Sequence, residues 1–204
     1  MGLKLNGATS GSVELGVPAD VGSDIGFTLP GADGSDGQRL VTNGAGVLSF
    51  VKNELIEWDQ FKLTSDETAN NICDNWARMS TPGFTQVGGQ MSVASDGTFS
   101  FPKTGHYLII ANPMFDINGS DTCILYTKLT VDNTSYTDVG VASDGNNGTG
   151  LRHGSSNSFT FVDVTNIANQ KIRFVGGSLS SGSTIKGSSS TIETQVTFIR
   201  LGDT

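Results

Sequence analysis

From about residue 58 to the end of the chain, short runs of strand-type composition alternate with clusters of turn residues. The runs are FKL, QMSVA, GTFSF, HYLIIA, TCILYTKLTV, SFTFVDV, KIRFVGG and TIETQVTFIRL. Strands of this length and spacing are typical of an all-β sandwich or jelly roll. The 27 glycines and the 16% share of charged residues fit the same class, because helical surfaces need more Glu, Lys and Arg.

One of these runs is apolar on both of its faces. It lies in DGTFSFPKTGHYLIIANPMF, residues 96–115, where Phe99 and Phe101 alternate with polar residues before Pro102. Residues 107–111, in contrast, are apolar at every position, which predicts a strand with both faces covered. Either neighbouring subunits cover the second face, or a loop or the N-terminal segment of the same chain does.

The first 50 residues are organised differently. Small apolar sets alternate there with Gly, Pro, Asp and Asn, and large apolar side chains are few. The sets are Val13, Leu15 and Val17, then Ile25, Phe27 and Leu29, then Leu40 followed by Val47 and Leu48 beyond the turn Asn43-Gly44. They predict short strands joined by tight turns. Such a segment has too little apolar area to fold alone, so it pairs with copies of itself, docks on the following domain or docks on a partner.

This change of organisation divides the chain into three parts. Residues 1–50 form a β-rich anchoring region, residues 51–57 a neck, and residues 58–204 the head domain. The stretch VKNELIEWDQFKL around the neck fits a short helix and a strand equally well.

The N-terminal pattern LPGADGSDGQRLVTNGAGVLSF resembles N-terminal modules of bacteriophage virion proteins, including fibres, in which such a pattern precedes a globular head. The resemblance covers about the first quarter of the chain. It implies that this region attaches the protein to other virion proteins. The alternative is a polar linker with residual β tendency.

The head resembles a second family. FSFPKTGHYLIIANPMF is similar to the F-x-x-P-x-x-G-x-Y core strand of the tumour necrosis factor and complement globular-head superfamily, and TQVTFIRLGD is similar to its closing strand. Asn169-Gln170 stands where that family often has Gly-Asp. The resemblance implies a jelly roll that assembles as a compact homotrimer around a threefold axis. We assign to this interface Phe99, Phe101, Tyr107, Ile109, Ala111 and Phe198.

Charge and motifs exclude several functions. A net charge of -8 disfavours binding to nucleic acid, and no segment is apolar enough to insert into a membrane. No secretory signal is recognised, so we expect synthesis in the host cytoplasm and final placement on the exterior of the virion. In that compartment Cys73 and Cys123 are more readily interpreted as free thiols than as a disulfide.

Catalytic motifs of hydrolases, phosphate loops and zinc sites are absent from the sequence, and we predict a protein that is not an enzyme and has no cofactor or metal. Two turn clusters leave calcium open, one at residues 31–37 and one between Asp116 and Asp121.

Two long polar segments, residues 140–157 and 176–191, are candidate recognition loops. Their candidate receptor-binding residues are Asn146, Asn147, Arg152, His153 and Lys186. The partner there would be a host-surface glycan or protein. The alternative is that both segments are solvated connections without a ligand.

Together these features predict a non-enzymatic bacteriophage structural protein, a homotrimeric capsid decoration, short fibre or spike with host-surface binding. The alternatives are a free-standing carbohydrate- or protein-binding module and a tail-associated glycan hydrolase. A hydrolase would need two carboxyl groups at a defined separation in a groove.

Overall fold

The computed structural model describes residues 3–6, 12–15, 23, 25–35, 38–52, 57–80, 86–180 and 182–204. The chain forms two compact units, Met1–Glu54 and Leu55–Thr204. The division between them falls inside the stretch that we assigned to the neck.

Two antiparallel hairpins are described in the N-terminal unit. The first joins β1 (Leu3–Asn6) to β2 (Ser12–Leu15), and the second joins β3 (Gln38–Thr42) to β4 (Leu48–Lys52). The turn of the second hairpin includes Gly46 at a φ of +83°, a conformation that favours glycine. The expected strands at Val13 and Leu15, at Leu40 and at Leu48 are therefore confirmed, whereas β1 was not predicted.

The expected strand over Ile25, Phe27 and Leu29 is not present. In that segment only Thr28 pairs with another strand, through a parallel bridge in which its N–H donates to Gly46 O at 2.8 Å and its carbonyl accepts from Leu48 N at 2.9 Å. Val17, the last member of the first apolar set, lies outside the described residues.

The C-terminal unit consists of strands and turns. Its strands are β5 (Glu57–Leu63), β6 (Ser65–Glu67), β7 (Trp76–Arg78), β8 (Ser92–Val93), β9 (Phe99–Ser100), β10 (Gly105–Asn112), β11 (Met114–Asn118), β12 (Asp121–Thr130), β13 (Tyr136–Asn146), β14 (Leu151–Ser155), β15 (Ser158–Val164), β16 (Lys171–Gly177), β17 (Thr184–Ser188) and β18 (Gln195–Gly202). The described part of the neck stretch is thus strand. Since no helix occurs among the described residues, none there could cross a membrane.

Three antiparallel sheets make up this unit. Sheet A has the order β15-β10-β18-β5-β7, sheet B the order β13-β12-β16-β9-β8, and sheet C the order β14-β11-β17-β6. The shared core contains side chains from all three, which makes the unit a β-sandwich jelly roll, the predicted fold class.

The core corrects our choice of interface residues. The side chains that we assigned to a trimer interface are all buried within the single chain. They are Phe99, Phe101, Tyr107, Ile109, Ala111 and Phe198. Because a side chain that is already covered by its own chain offers no surface to a second one, these six residues hold the sandwich together instead.

Both cysteines are buried free thiols. Burial raises the pKa of Cys73 well above its ordinary value and that of Cys123 to about 11. They behave as small apolar core residues, the interpretation that the sequence favoured.

An ion pair closes one side of the sandwich. The Asp59 carboxylate is buried and accepts hydrogen bonds from Arg78 Nε at 2.9 Å and from the backbone N–H of Met91 at 3.0 Å. The guanidinium also lies over the Phe61 ring, 5.0 Å from its centroid. The pair therefore ties β5 to β7 and to the segment before β8.

We expect Arg78→Ala to lower the free energy of unfolding by about 3–5 kcal/mol, because it leaves the buried Asp59 carboxylate without its counter-charge. As a control, Lys103→Ala removes the partner of Glu57 at a position where the lysine side chain is 55% exposed, and it should cost no more than about 1 kcal/mol. Urea denaturation of both variants measures the difference. Equal losses would contradict the role that we give to Asp59.

Candidate functional site

Strand β10 has two apolar faces that meet different surroundings. Tyr107 and Ile109 point into the core, whereas Leu108 and Ile110 point to the opposite side of sheet A and are only partly buried. Among the described residues of the C-terminal unit, neither a loop nor another strand covers this second side.

The neighbours of β10 extend the uncovered apolar surface. On β15, Phe161 pairs with Leu108 and Phe159 pairs with Ile110, and these two phenylalanines are 73% and 63% exposed. On β18, Ile199 also pairs with Leu108. We name Leu108, Ile110, Phe159, Phe161 and Ile199 the apolar face.

The phenylalanines of β15 point outward because small residues take the inward positions. Ser158 and Thr160 are buried, and a Cβ at Gly140 of β13 would lie 2.3 Å from Thr160 Oγ1 and 2.6 Å from Ser158 Oγ. The close approach of β13 thus leaves no room for an aromatic ring on that side.

His106 lies at one end of the same side of sheet A. It pairs with Asp163 across β10 and β15, and its Nδ1 lies 3.8 Å from Asp163 Oδ1. Both side chains are exposed, so His106 is a surface residue beside the apolar face.

Of the two segments that we predicted as recognition loops, the first is largely strand and the second is strand in part. Residues 140–157 contain the end of β13 and all of β14, and residues 176–191 contain β17. Asn146 Nδ2 donates to Gly150 O at 2.7 Å and to Ile117 O at 3.2 Å, which fastens the turn between β13 and β14. Asn147 is exposed in that turn.

Sheet C brings His153 and Lys186 onto one surface. Asp116 on β11 lies between them, with its Oδ1 2.5 Å from His153 Nδ1 and its Oδ2 3.7 Å from Lys186 Nζ. Lys186 Nζ also lies 2.6 Å from Asp66 Oδ2 on β6, and this hydrogen bond raises the pKa of Lys186. A row of polar side chains, His153, Asp116, Lys186 and Asp66, therefore crosses all four strands of the sheet.

Arg152 belongs to a separate ion pair. Its Nη1 donates to Asp144 Oδ1 at 2.9 Å and also to Gly145 O. The Arg152 hydrogen bond holds the pKa of Asp144 below its usual range. The Asp144 carboxylate packs against Gly154, where a side chain would not fit, because a Cβ at Gly154 would lie 2.2 Å from Asp144 Oδ2.

A pocket of about 560 Å³ lies next to this pair. Arg152 and His153 line it, so the structure brings together two of the five predicted receptor-binding residues. Lys186, Asn146 and Asn147 do not line it.

Other residues of the pocket were not predicted. They include Asn112, Asp144, Asn157 and Glu193, which come from four separate segments of the chain. No spacing in the sequence links these segments, because they come together only through the pairing of β10 with β15 and β18, the pairing of β11 with β14 and the approach of β13.

The calcium alternatives receive no support in the part of the chain that is described. No group of three or more His, Cys, Asp or Glu side chains is arranged there to hold a metal ion. Asp116 contacts His153 and Lys186, and the Asp121 carboxylate accepts from the backbone N–H of Ser180 at 3.1 Å. The 31–37 cluster includes residues 36 and 37, which lie outside the described residues.

Comparison with known proteins relates the chain to solved structures alone. No family model and no curated protein matches the sequence. The Eiger TNF of S. frugiperda is similar with a TM-score of 0.54 and 12% identity, over 74% of this chain and 96% of that one. Murine APRIL at pH 8.5 is similar with a TM-score of 0.51 and 10% identity, over 72% of this chain and 99% of that one. The pH 8.0 structure of murine APRIL has the same TM-score and coverage at 11% identity.

The chain therefore contains a tumour necrosis factor-like jelly roll, the fold that the F-x-x-P-x-x-G-x-Y resemblance predicted. At this level of identity the likeness is one of fold alone.

We expect Arg152→Ala to raise the pKa of Asp144 towards its ordinary value, because the charged hydrogen bond that favours the carboxylate is lost. In the unmodified protein the pair contributes stability above the unfolded-state pKa of Asp144, and this contribution disappears as the pH falls through the lower folded-state pKa. Carbon-13 NMR titration of the Asp144 carboxyl measures the change. Lys128→Ala, which removes the partner of Asp138, is the control and should leave Asp144 unchanged.

Proposed function

We propose that this protein is a non-enzymatic structural protein of a bacteriophage particle, a homotrimeric decoration, short fibre or spike. Its jelly-roll head forms the trimer through the apolar face, and its N-terminal unit attaches to other virion proteins. The trimer lies on the exterior of the virion after synthesis in the host cytoplasm.

The observation that carries the proposal is the uncovered apolar face. Contiguous apolar surface of this kind is rare on monomeric soluble proteins and marks an interaction site. Phe159 and Phe161 stand on an edge strand, and Leu108, Ile110 and Ile199 continue the surface across the next two strands. In a trimer around a threefold axis, the apolar face of each chain would be covered by the apolar faces of the other two chains.

A homotrimer also fits the distribution of charge around this surface. The five side chains of the apolar face carry no charge, and the nearest ionisable groups of β10 and β15, His106 and Asp163, are at one end. Interface cores are depleted of charged residues in the same way, with polar groups at the rim.

The N-terminal unit supports attachment to a partner. Five of its described apolar side chains remain exposed in the single chain. They are Ile25, Phe27, Leu29, Leu40 and Val47. Since the hairpin and turn layout resembles phage anchoring modules, other virion proteins are the partners that we propose for this surface.

The trimer is tested by Phe161→Asp. We expect this substitution to convert the trimer into a monomer, because assembly would bury an unpaired carboxylate at three equivalent positions. Sedimentation at micromolar concentration measures the mass. Val131→Asp is the control, since Val131 is 65% exposed outside the apolar face and its replacement should leave the trimer intact.

An unmodified protein that sediments as a monomer would contradict the assembly. Dissociation by Val131→Asp as well as by Phe161→Asp would contradict the assignment of the interface to the apolar face.

Attachment is tested by deleting residues 1–54. Each unit has its own internal contacts, so we expect the remaining head to unfold cooperatively and to stay trimeric. We also expect it to be absent from purified particles. Immunodetection on particles assembled with the deleted and the full-length protein measures incorporation. Particles that incorporate the deleted protein in full amount would place the anchor in the head. Particles that lack the full-length protein would favour a free-standing binding module.

A further inference from the structure

The pocket that Arg152 lines has a volume usual for the binding of a small ligand. Its volume of about 560 Å³ is within the range of roughly 300–1,000 Å³ that is usual for ligand pockets. It is formed by one chain, at the junction where β10 passes into β11 and where β14 passes into β15.

Its walls offer both hydrogen-bond donors and acceptors. Asn112 Nδ2 donates to Asn157 Oδ1 at 2.6 Å, which orients both amides and leaves the Asn157 amino group and the Asn112 side-chain carbonyl available for other hydrogen bonds. Ser155 adds a hydroxyl group to the lining. Each hydroxyl group of a sugar can both donate and accept a hydrogen bond, so a sugar can use both kinds of group in this lining.

The charges of the pocket do not favour an anion. The Arg152 guanidinium is already paired with Asp144 at 2.9 Å, and Glu193 adds a second carboxylate to the lining. Outside the pocket, Lys186 is likewise held by Asp66 at 2.6 Å. The basic residues that we predicted to attract a host ligand are therefore neutralised locally.

Glu193 has an unfilled acceptor position. Its Oε1 accepts from Thr191 Oγ1 at 3.4 Å, whereas its Oε2 is buried without a hydrogen-bond partner among the described residues. Because Oε2 has almost no accessible surface, a ligand in the pocket reaches this carboxylate only at Oε1, which can accept a second hydrogen bond beside that of Thr191.

We propose that this pocket binds a neutral saccharide. Vicinal hydroxyls of one pyranose ring donate to the carboxylates of Glu193 and Asp144 and accept from the Asn157 amide. The site is preorganised, because the Asn112–Asn157 and Arg152–Asp144 hydrogen bonds fix its side chains before the sugar arrives. The inference rests on the proposed function for its biological meaning, since it names the ligand class of the host contact.

A single site binds weakly. Among the described residues, the lining contains no Trp, Tyr or Phe against which a sugar ring could stack, so hydrogen bonds supply most of the affinity. We expect dissociation constants in the millimolar range for a monosaccharide, and tighter attachment to a host surface through three copies acting together.

Saturation-transfer difference NMR on the full chain tests the proposal. The probes are glucose, galactose, mannose and N-acetylglucosamine, with sialyllactose and lactose as an anionic and neutral pair. We expect transfer to at least one neutral monosaccharide, and weaker binding of sialyllactose than of lactose. Asn157→Ala and Glu193→Gln should each weaken binding about tenfold, as expected for the loss of one hydrogen bond.

Lys186→Ala is the matched control, because Lys186 lies on sheet C but does not line the pocket, and it should bind as the unmodified protein does. Asn157 is exposed, so its replacement should leave the thermal unfolding midpoint unchanged and keeps the test valid if Glu193→Gln unfolds. The proposal would be overturned if none of the neutral probes binds, if Asn157→Ala binds them as tightly as the unmodified protein does, or if the protein binds sialyllactose more tightly than lactose.

Binding is separable from assembly. Because one chain forms the whole pocket, Phe161→Asp should keep its sugar binding even as a monomer. Sugar binding by the monomeric Phe161→Asp variant would support this inference. A stable trimer on the particle that binds no sugar would refute this inference and leave the proposed function standing. Hydrolysis of lactose during the measurement would also overturn a role limited to binding.

Discussion

A cluster of aromatic rings between sheets A and B holds the jelly roll together. Phe99 of sheet B is central, with its ring centroid 5.0 Å from that of Phe61 and 5.1 Å from that of Phe198, both on sheet A. Phe174 of sheet B and Trp76 of sheet A extend the cluster, 5.4 Å apart. Such ring pairs contribute about 0.5–1.5 kcal/mol each beyond the area that they bury. Because these rings fill the space between the sheets, the other side of sheet A is free to carry a different function.

Strand β10 links the two tasks. Its inward residues complete the aromatic core, where Tyr107 packs 4.7 Å from Phe101, and its outward residues form the centre of the apolar face. A substitution at an inward position would therefore lower the stability of the single chain, whereas one at an outward position would act on assembly. The sandwich explains why both kinds of residue are apolar in a sequence that otherwise alternates.

The sequence predicts the class of fold well because strand length, turn residues and the cluster around Pro102 are local signals. It does not predict which residues of the 107–111 run face inward, since an apolar side chain stands at every position and alternation carries no information there. The pairing of β13 with β12 and of β14 with β11 was missed for another reason. These ladders consist of backbone hydrogen bonds, and the strands β13 and β14 contain Gly, Ser and Asn, which are residues typical of loops. The pocket could not be predicted at all, because its members are distant in sequence and are brought together by strand pairing.

The outward phenylalanines of β15 have a consequence for the chain before it assembles. Ser158–Val164 is an edge strand rich in β-forming residues, without proline, and its single charge is Asp163. An exposed edge of this composition can pair with the edge of any other chain, which is the first step of aggregation. Newly made protein is therefore at risk for as long as it remains unassembled, and Asp163 is the one residue of the strand that opposes uncontrolled pairing.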